Sequence, residues 1–265
     1  MPLTDYSVVF NGITIGAGTN FPIINIEGLG GTSPLRIQDD NRGYLDGSYT
    51  GRDFYDERTV YLDVLVLGST TTTAQANYKL LQKAFAPQPV GYYPDPTGYT
   101  SATDVLKVFQ FRLNANTGDK LMYGRSRGMV TPIDPDFTYG FIKTRIMMSF
   151  PDPRYYDAFQ NTALASTVTV SNAGWATTCP NIYVLNPTGS GHITDGTTFM
   201  RFANLSGTDL VIDLLQRVVY LQGVPTRNKL TAASNGWLDI APNTTSKTWT
   251  STVGSMVVQY QNAYV

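Results

Sequence analysis

The side chains able to do chemistry are few, and their spacing speaks against catalysis. There is one histidine, His192 in NPTGSGHITDG, and one cysteine, Cys179. A histidine-based triad needs a nucleophile and an orienting acid close by, and a structural zinc site takes about four His or Cys ligands. His192 therefore reads as a loop residue, and Cys179, beside Pro180, as a small buried or half-buried one. Carboxylates are the stronger candidates, because glycoside cleavage needs only two. Asp134 with Asp136, Asp39 with Asp40, and Asp53 with Asp56 and Glu57 are the available groups. Acids in such Pro- and Gly-rich surroundings commonly cap turns, and that is the reading given to each. The stretch DGSYTGRDFYDE (Asp46–Glu57) lacks the ligand spacing of a calcium loop, and GLGG (Gly28–Gly31) lacks the Lys-Ser/Thr of a phosphate-binding loop. Trp175, Trp237 and Trp249 all fall in the second half. Exposed on a sheet they would stack on sugar rings, whereas the alternation around them favours core packing. The residues predict no catalytic site, no metal and no cofactor, with sugar contact through tryptophan as the remaining binding candidate.

The elements that position these residues are mostly strands. Of 265 residues, 42% are hydrophobic and 15% charged, with 17 Tyr, 12 Phe, 24 Gly and 15 Pro. Many aromatics and turn formers with few charges predict short strands and a mainly β chain. The net charge of -1 and the lack of a basic run exclude a nucleic-acid footprint. No run approaches the roughly 20 apolar residues that cross a bilayer, so no membrane insertion is expected. MPLTDYSVVF lacks the pattern of a signal peptide, and a lone cysteine fits a chain made in a cytoplasm.

In the first half, Ser7–Ile15 reads as a hairpin about an Asn11-Gly12 turn. Phe21–Ile26 is a second strand, and Val60–Leu67, nearly all apolar, is predicted to be buried on both faces. One helix is expected near residues 72–86, with Thr72 and Gln75 as a capping box. Its apolar face is Ala74, Tyr78, Leu81 and Phe85, and prolines 87 and 89 end it. Strands follow at Val105–Asn114, Leu121–Pro132 and Tyr139–Phe150; the last alternates Ile142, Ile146, Met148 and Phe150 against Lys143, Arg145 and Ser149. Eight short strands are then predicted: Ser166–Ser171, Asn181–Leu185, Thr198–Leu205, Asp209–Leu214, Arg217–Leu221, Gly236–Ile240, Ser246–Thr250 and Ser255–Tyr260. Their number and spacing point to a sandwich or jelly roll. Between the halves lies PDPRYYD. Pro151 and Pro153 remove ladder donors and fix φ, which makes Pro151, Asp152, Pro153, Arg154, Tyr155 and Tyr156 a stiff joint between domains 1–157 and 158–265. Arg154 is expected to pair with Asp152 or Asp157.

Three stretches resemble the distal tail proteins of long-tailed, non-contractile bacteriophages, especially the actinobacteriophage type known as minor tail proteins. RDFYDERTVYLDVLVL (Arg52–Leu67) and the helix Thr72–Phe85 are similar to the family's strand pair and helix. IMMSFPDPRYYD (Ile146–Asp157) resembles its closing strand and Asp-Pro-Arg-aromatic joint. GWLDIAPNTTSKTWTS and VVQYQNAYV resemble the last strands of its second domain. The resemblance implies a structural virion protein at the tail tip, assembled in the host bacterial cytoplasm. Its first domain, β-sandwich-like with one helix, would join five copies of itself in a homohexameric ring. Its second would be a galectin-like or jelly-roll β-sandwich. The implied partners are the tail tube protein, the tail-tip or tail-associated hub protein and the tape measure protein. No catalytic residues and no cofactors come with it. The second domain carries no large insertion, the feature that supplies an added sugar-binding module in some relatives.

A ring subunit needs two different patches that mate head to tail. The polar, Tyr-rich segment from Tyr44 to Tyr55, with Tyr49, Arg52 and Phe54, is the candidate inter-subunit arm: too polar for core, too aromatic for a plain linker. The second reading is a carbohydrate-binding or adhesion module contacting host surface glycans through Trp175, Trp237 or Trp249. A wall-degrading glycosidase using an acid pair ranks third.

Overall fold

The computed structural model describes residues 3–31, 35–36, 39–41, 48–50, 54–87, 106–116 and 118–265. The chain is mainly β and divides into two compact units, Met1–Tyr155 and Tyr156–Val265.

In the first unit the elements run β1 (Ser7–Phe10), β2 (Ile13–Gly16), β3 (Ile23–Glu27), β4 (Leu35–Arg36), β5 (Asp39–Asn41), β6 (Ser48–Thr50), β7 (Phe54–Tyr55), β8 (Arg58–Val66), α1 (Thr71–Phe85), β9 (Lys107–Arg112), β10 (Lys120–Val130), α2 (Pro135–Thr138) and β11 (Ile142–Phe150). The strand β12 (Tyr155–Tyr156) straddles the boundary. Seven strands form one antiparallel path in the order β2-β1-β9-β10-β11-β8-β3. The two strands at its ends, β2 and β3, are neighbours in sequence. Laid flat, seven strands would put them about 29 Å apart, but the six-residue link reaches at most about 24 Å. The link is also tight: Gly16 N–H donates to the Phe21 carbonyl at 2.9 Å, and the carbonyls of Asn20 and Pro22 accept from Leu67 and Leu65. The sheet is therefore curled nearly shut.

Its interior face and α1 share one core. Phe85 stacks on Phe10 at 4.9 Å, and Phe109 meets Phe150 edge to face at 5.2 Å. Gly124 leaves room for that second pair, since a Cβ there would sit 2.4 Å from the Phe150 ring. The β1–β2 hairpin turns at Asn11 (φ 48°) and Gly12 (φ 81°), the left-handed pair that a two-residue turn requires. Two expectations need correction. Val60–Leu67 is not buried on both faces: β8 alternates, with Val60, Leu62, Val64 and Val66 inside and Tyr61, Asp63 and Leu65 part-exposed, because only its inner face meets the core. The helix cap is Thr70, whose hydroxyl accepts from Thr73 N–H; Thr72 and Gln75 form no capping box. Ala86 at the C-cap is extended (ψ 124°), as a residue before proline must be.

The second unit comprises β13 (Gln160–Asn161), β14 (Thr167–Asn172), β15 (Asn181–Leu185), β16 (Thr188–Thr194), β17 (Phe199–Ser206), β18 (Asp209–Asp213), β19 (Val218–Leu221), β20 (Val224–Pro225), a 3₁₀ turn at Arg227–Lys229, β21 (Thr244–Ser251), β22 (Ser255–Tyr260) and β23 (Ala263–Tyr264). Six strands, β13-β22-β15-β18-β19-β20, and four, β14-β21-β16-β17, form the two sheets of a sandwich. Val184, Ile193, Phe202, Ile212, Trp249 and Val258 are among the residues filling the space between them. Two corrections fall here. Gly236–Ile240 is not a strand; Ile240 makes a single bridge to Thr178, and the alternation comes from Leu238 and Ile240 reaching the core out of irregular chain. His192 is no loop residue: it lies in β16 opposite Arg201, in a strand whose Gly-Ser-Gly start carries little β preference and bulges between Gly189 and Gly191.

Two polar side chains of this unit each hold several partners. Asn172 donates to the carbonyls of Ala176 (2.7 Å), Ile240 (3.2 Å) and Ala241 (3.3 Å) and accepts from Gly174 N–H (3.0 Å) and Ala263 N–H (3.3 Å). Asp195 accepts from the Lys247 ammonium (2.6 Å) and from the N–H groups of Thr197 (2.9 Å) and Thr198 (2.6 Å). Burial alone would raise this carboxyl; the lysine and the two N–H bonds outweigh it and hold it below its ordinary value.

Candidate functional site

No catalytic constellation forms from the candidate acids among the described residues. Asp134 caps α2 by accepting from Phe137 N–H at 3.0 Å, and Asp136 pairs with Lys143 at 3.5 Å. Asp56 accepts from Glu57 N–H, while Glu57 accepts from Ser149 and lies 4.0 Å from Arg127. Asp53, and the side chains of Asp39 and Asp40, lie outside the described residues. No group of three His, Cys, Asp or Glu side chains that could hold a metal occurs among the described residues. Cys179 is half-buried against the second core.

The candidate arm is built as a β-ribbon. Leu35 and Arg36 pair with Tyr55 and Phe54, and further out Asp39, Asp40 and Asn41 pair with Thr50, Tyr49 and Ser48. The residue numbers of each pair sum to 90 in the first ladder and 89 in the second, so the two legs differ by one residue between the ladders. Among the described residues these four short strands pair only with each other. Main-chain ladders thus pair stretches whose sequence is too polar for core. Tyr55 and Leu35 are exposed at the root. Tyr44 and Arg52, and the side chains of Tyr49 and Phe54, lie outside the described residues.

At the root, the GLGG turn is fastened from below. Arg58 is buried and donates to the carbonyls of Leu29 (2.9 Å) and Gly28 (3.4 Å). Gly28 sits at φ 82°, and a Cβ there would meet the Thr59 carbonyl at 2.1 Å, so the turn depends on glycine. Burial lowers the Arg58 guanidinium below its ordinary value, with Tyr155 opposing that shift, and burial likewise raises the Tyr155 phenol. The Arg58 guanidinium lies 5.9 Å from the Tyr155 ring centre.

The joint is anchored residue by residue. Asp152 Oδ1 accepts from Arg154 Nε (2.8 Å) and backbone N–H (3.2 Å), and its Oδ2 from Nη2 (3.0 Å). This closes a small ring over buried Pro153. Tyr155 packs edge-on against Phe111 at 6.1 Å, inside the first unit. Tyr156 is buried, and Asp157 is held within the second unit by Asn262 (3.0 Å) and Tyr264 (2.9 Å).

The three tryptophans separate. Trp249 is completely buried, which removes it as a sugar-stacking surface. Trp237 is part-buried against the same core. Trp175 is 58% exposed and stands edge-on to Tyr264 at 4.8 Å, its indole N–H donating to the Val265 carbonyl at 3.4 Å. Sequence reasoning read the arm as a segment but missed its strands. It also missed the exposed apolar run around α2, which is visible in the sequence as VTPIDPDFTYGF.

No family model matches the sequence, and no curated protein matches it. Solved structures do. The crystal structure of the Dit protein of phage SPP1, described as a paradigm of the hub adsorption apparatus in phages infecting Gram-positive bacteria, shares 17% identity at a TM-score of 0.70. The match covers 98% of this chain and 99% of that one. A chain of the phage P2 baseplate in its activated conformation with Ca matches at 6% identity, TM-score 0.55, covering 98% of each chain. The strontium form of that baseplate matches at 6% identity and TM-score 0.54, over 97% of this chain and 98% of that one. From end to end, across both units, this chain has the fold of the SPP1 Dit protein.

Proposed function

We propose that this protein is the distal hub of a phage tail: six copies close a ring through their first units, while the galectin-like sandwich of the second projects from it. The observation that carries this reading is the fold match over nearly the whole of both chains, at a TM-score of 0.70 to a hub protein. The β-ribbon supports it, since its four strands, among the described residues, pair only with each other and so can offer a head-to-tail neighbour a distinct patch. The role is geometric, with large obligate contacts of about 2,000 Å² or more per neighbour and no turnover. The ring would join the tail tube protein on one side to the tail-tip or tail-associated hub protein on the other. The tape measure protein would meet it at the channel, and assembly would take place in the host cytoplasm. Purified protein at micromolar concentration should give a hexamer mass and ring-shaped particles in electron micrographs. A strict monomer that also fails to bind tube protein overturns the proposal.

A second reading has one observation behind it. Trp175 offers an exposed aromatic edge beside Tyr264, which suits an adhesion module gripping host surface glycan. Glycan-array binding abolished by Trp175→Ala, with folding intact, would support it; an unaltered or absent signal removes it.

A further inference from the structure

The chain around α2 exposes four large apolar side chains within twelve residues: Val130 (70%), Ile133 (86%), Tyr139 (74%) and Phe141 (56%). The backbone holding them is well built. Asp134 caps the turn, Phe137 packs edge-on against Tyr78 at 5.7 Å, and the Tyr78 hydroxyl donates to Thr131 at 2.9 Å. The apolar side chains are therefore displayed by a fixed scaffold. Their exposed area is on the order of 500 Å², at the upper end of what a monomer's largest patch presents. It is more than half of the about 800 Å² that one partner contributes to a stable interface of standard size.

Strand register says where this patch stands relative to the arm. In the β8–β11 pair, Arg58 is opposite Phe150 and Val66 opposite Ile142. The ribbon root, Leu35 and Tyr55, adjoins the Arg58 end. The apolar patch adjoins the Ile142 end, where β10 finishes and β11 begins. Eight residue steps of strand separate the two ends, about 27 Å. Two different exposed apolar surfaces on opposite ends of one strand pair cannot meet within a chain. They are the two halves that a heterologous, ring-forming contact needs.

Resting on the hub reading, we propose that the Val130–Ile133–Tyr139–Phe141 patch is a socket for the root of the β-ribbon, Leu35 and Tyr55, of a second copy of this chain. The test mixes two damaged chains, Ile133→Asp with Tyr139→Asp for the socket and Leu35→Asp with Tyr55→Asp for the ribbon root. All four side chains are exposed, so thermal unfolding should match the wild type and confirms folding. By native mass spectrometry each damaged chain alone should be monomeric. An equimolar mixture should give dimers and nothing larger, because one intact socket meets one intact root. Rings that persist in either damaged chain overturn the socket while leaving the hub reading in place. Dimers formed by one damaged chain alone, which indicate a two-fold contact, also overturn it, as does a mixture that stays monomeric. A monomeric wild type removes the hub reading and the socket together.

Discussion

The two units solve the same problem, covering a β core, in opposite ways. The second closes two sheets on each other and turns its buried polar groups inward: Asn172 fastens five backbone groups, and Asp195 fastens a turn and a lysine. Its exposed apolar side chains, such as Phe159, Leu185 and Val224, are scattered in sequence. The first curls one sheet around a single helix and leaves a ribbon and a compact apolar patch outside that core. The difference lies in what stays outside each core: scattered apolar side chains in the second unit, a paired ribbon and a local apolar run in the first. Scattered exposed apolar side chains are ordinary, whereas clustered ones point to contact more often.

That contrast can be broken in order of effect. Phe85→Ala removes the ring that stacks on Phe10 at the centre of the first core and should cost about 3–5 kcal/mol. Hydrogen exchange should show the loss in residues 3–155 and not in 156–265; loss spread evenly over both would mean the two units unfold as one. Asn172→Ala is the counterpart in the second unit. It strands several backbone groups at once, with an expected cost of about 3 kcal/mol read by denaturant titration. Thr70→Ala removes the cap of α1 and should cost about 1 kcal/mol.

Acid should separate the units further. The Asp195 carboxyl titrates below its ordinary value in the folded chain, so its contribution is complete above about pH 4 and fades as pH falls towards the lowered value. Exchange protection of the β16–β17 hairpin should fall in that window. Asp195→Asn should flatten the acid slope there and lower stability at neutral pH by about 1 kcal/mol. A mutant with the wild-type acid slope would show that another carboxyl governs it.

Legibility in the sequence followed the same divide between side-chain and main-chain control. The β1–β2 hairpin was readable because Asn11-Gly12 is the residue pair its turn demands, and β11 because its apolar residues keep period two. The helix was readable from Ala74, Leu81 and Phe85, though Thr70 could not be told from Thr72 in a run of four threonines. The ribbon strands and β16 were not readable. Asp39–Asn41, Ser48–Thr50 and the Gly-Ser-Gly of β16 pair through backbone groups that every residue carries, so their side chains give no signal. Trp249 and Trp175 look alike in sequence, since exposure is decided by which sheet face each position takes. The Arg154–Asp152 pair was readable because the two residues lie two positions apart.

The curled sheet also dictates an order of events. Ser7–Phe10 finds its ladder partner in Lys107–Arg112, roughly a hundred residues later, and β8 waits for Ile142–Phe150. At a synthesis rate of about 5–20 residues per second, the opening hairpin emerges from the ribosome at least about 5 seconds before the strand that covers it. Such long-range pairing is slow to form even in a free chain. During that interval Phe10 can meet Phe85 of α1, but Phe109, Phe111 and Phe150 of the same core are still to come. Until Phe150 appears, the apolar face of this sheet is open to solvent and to other chains.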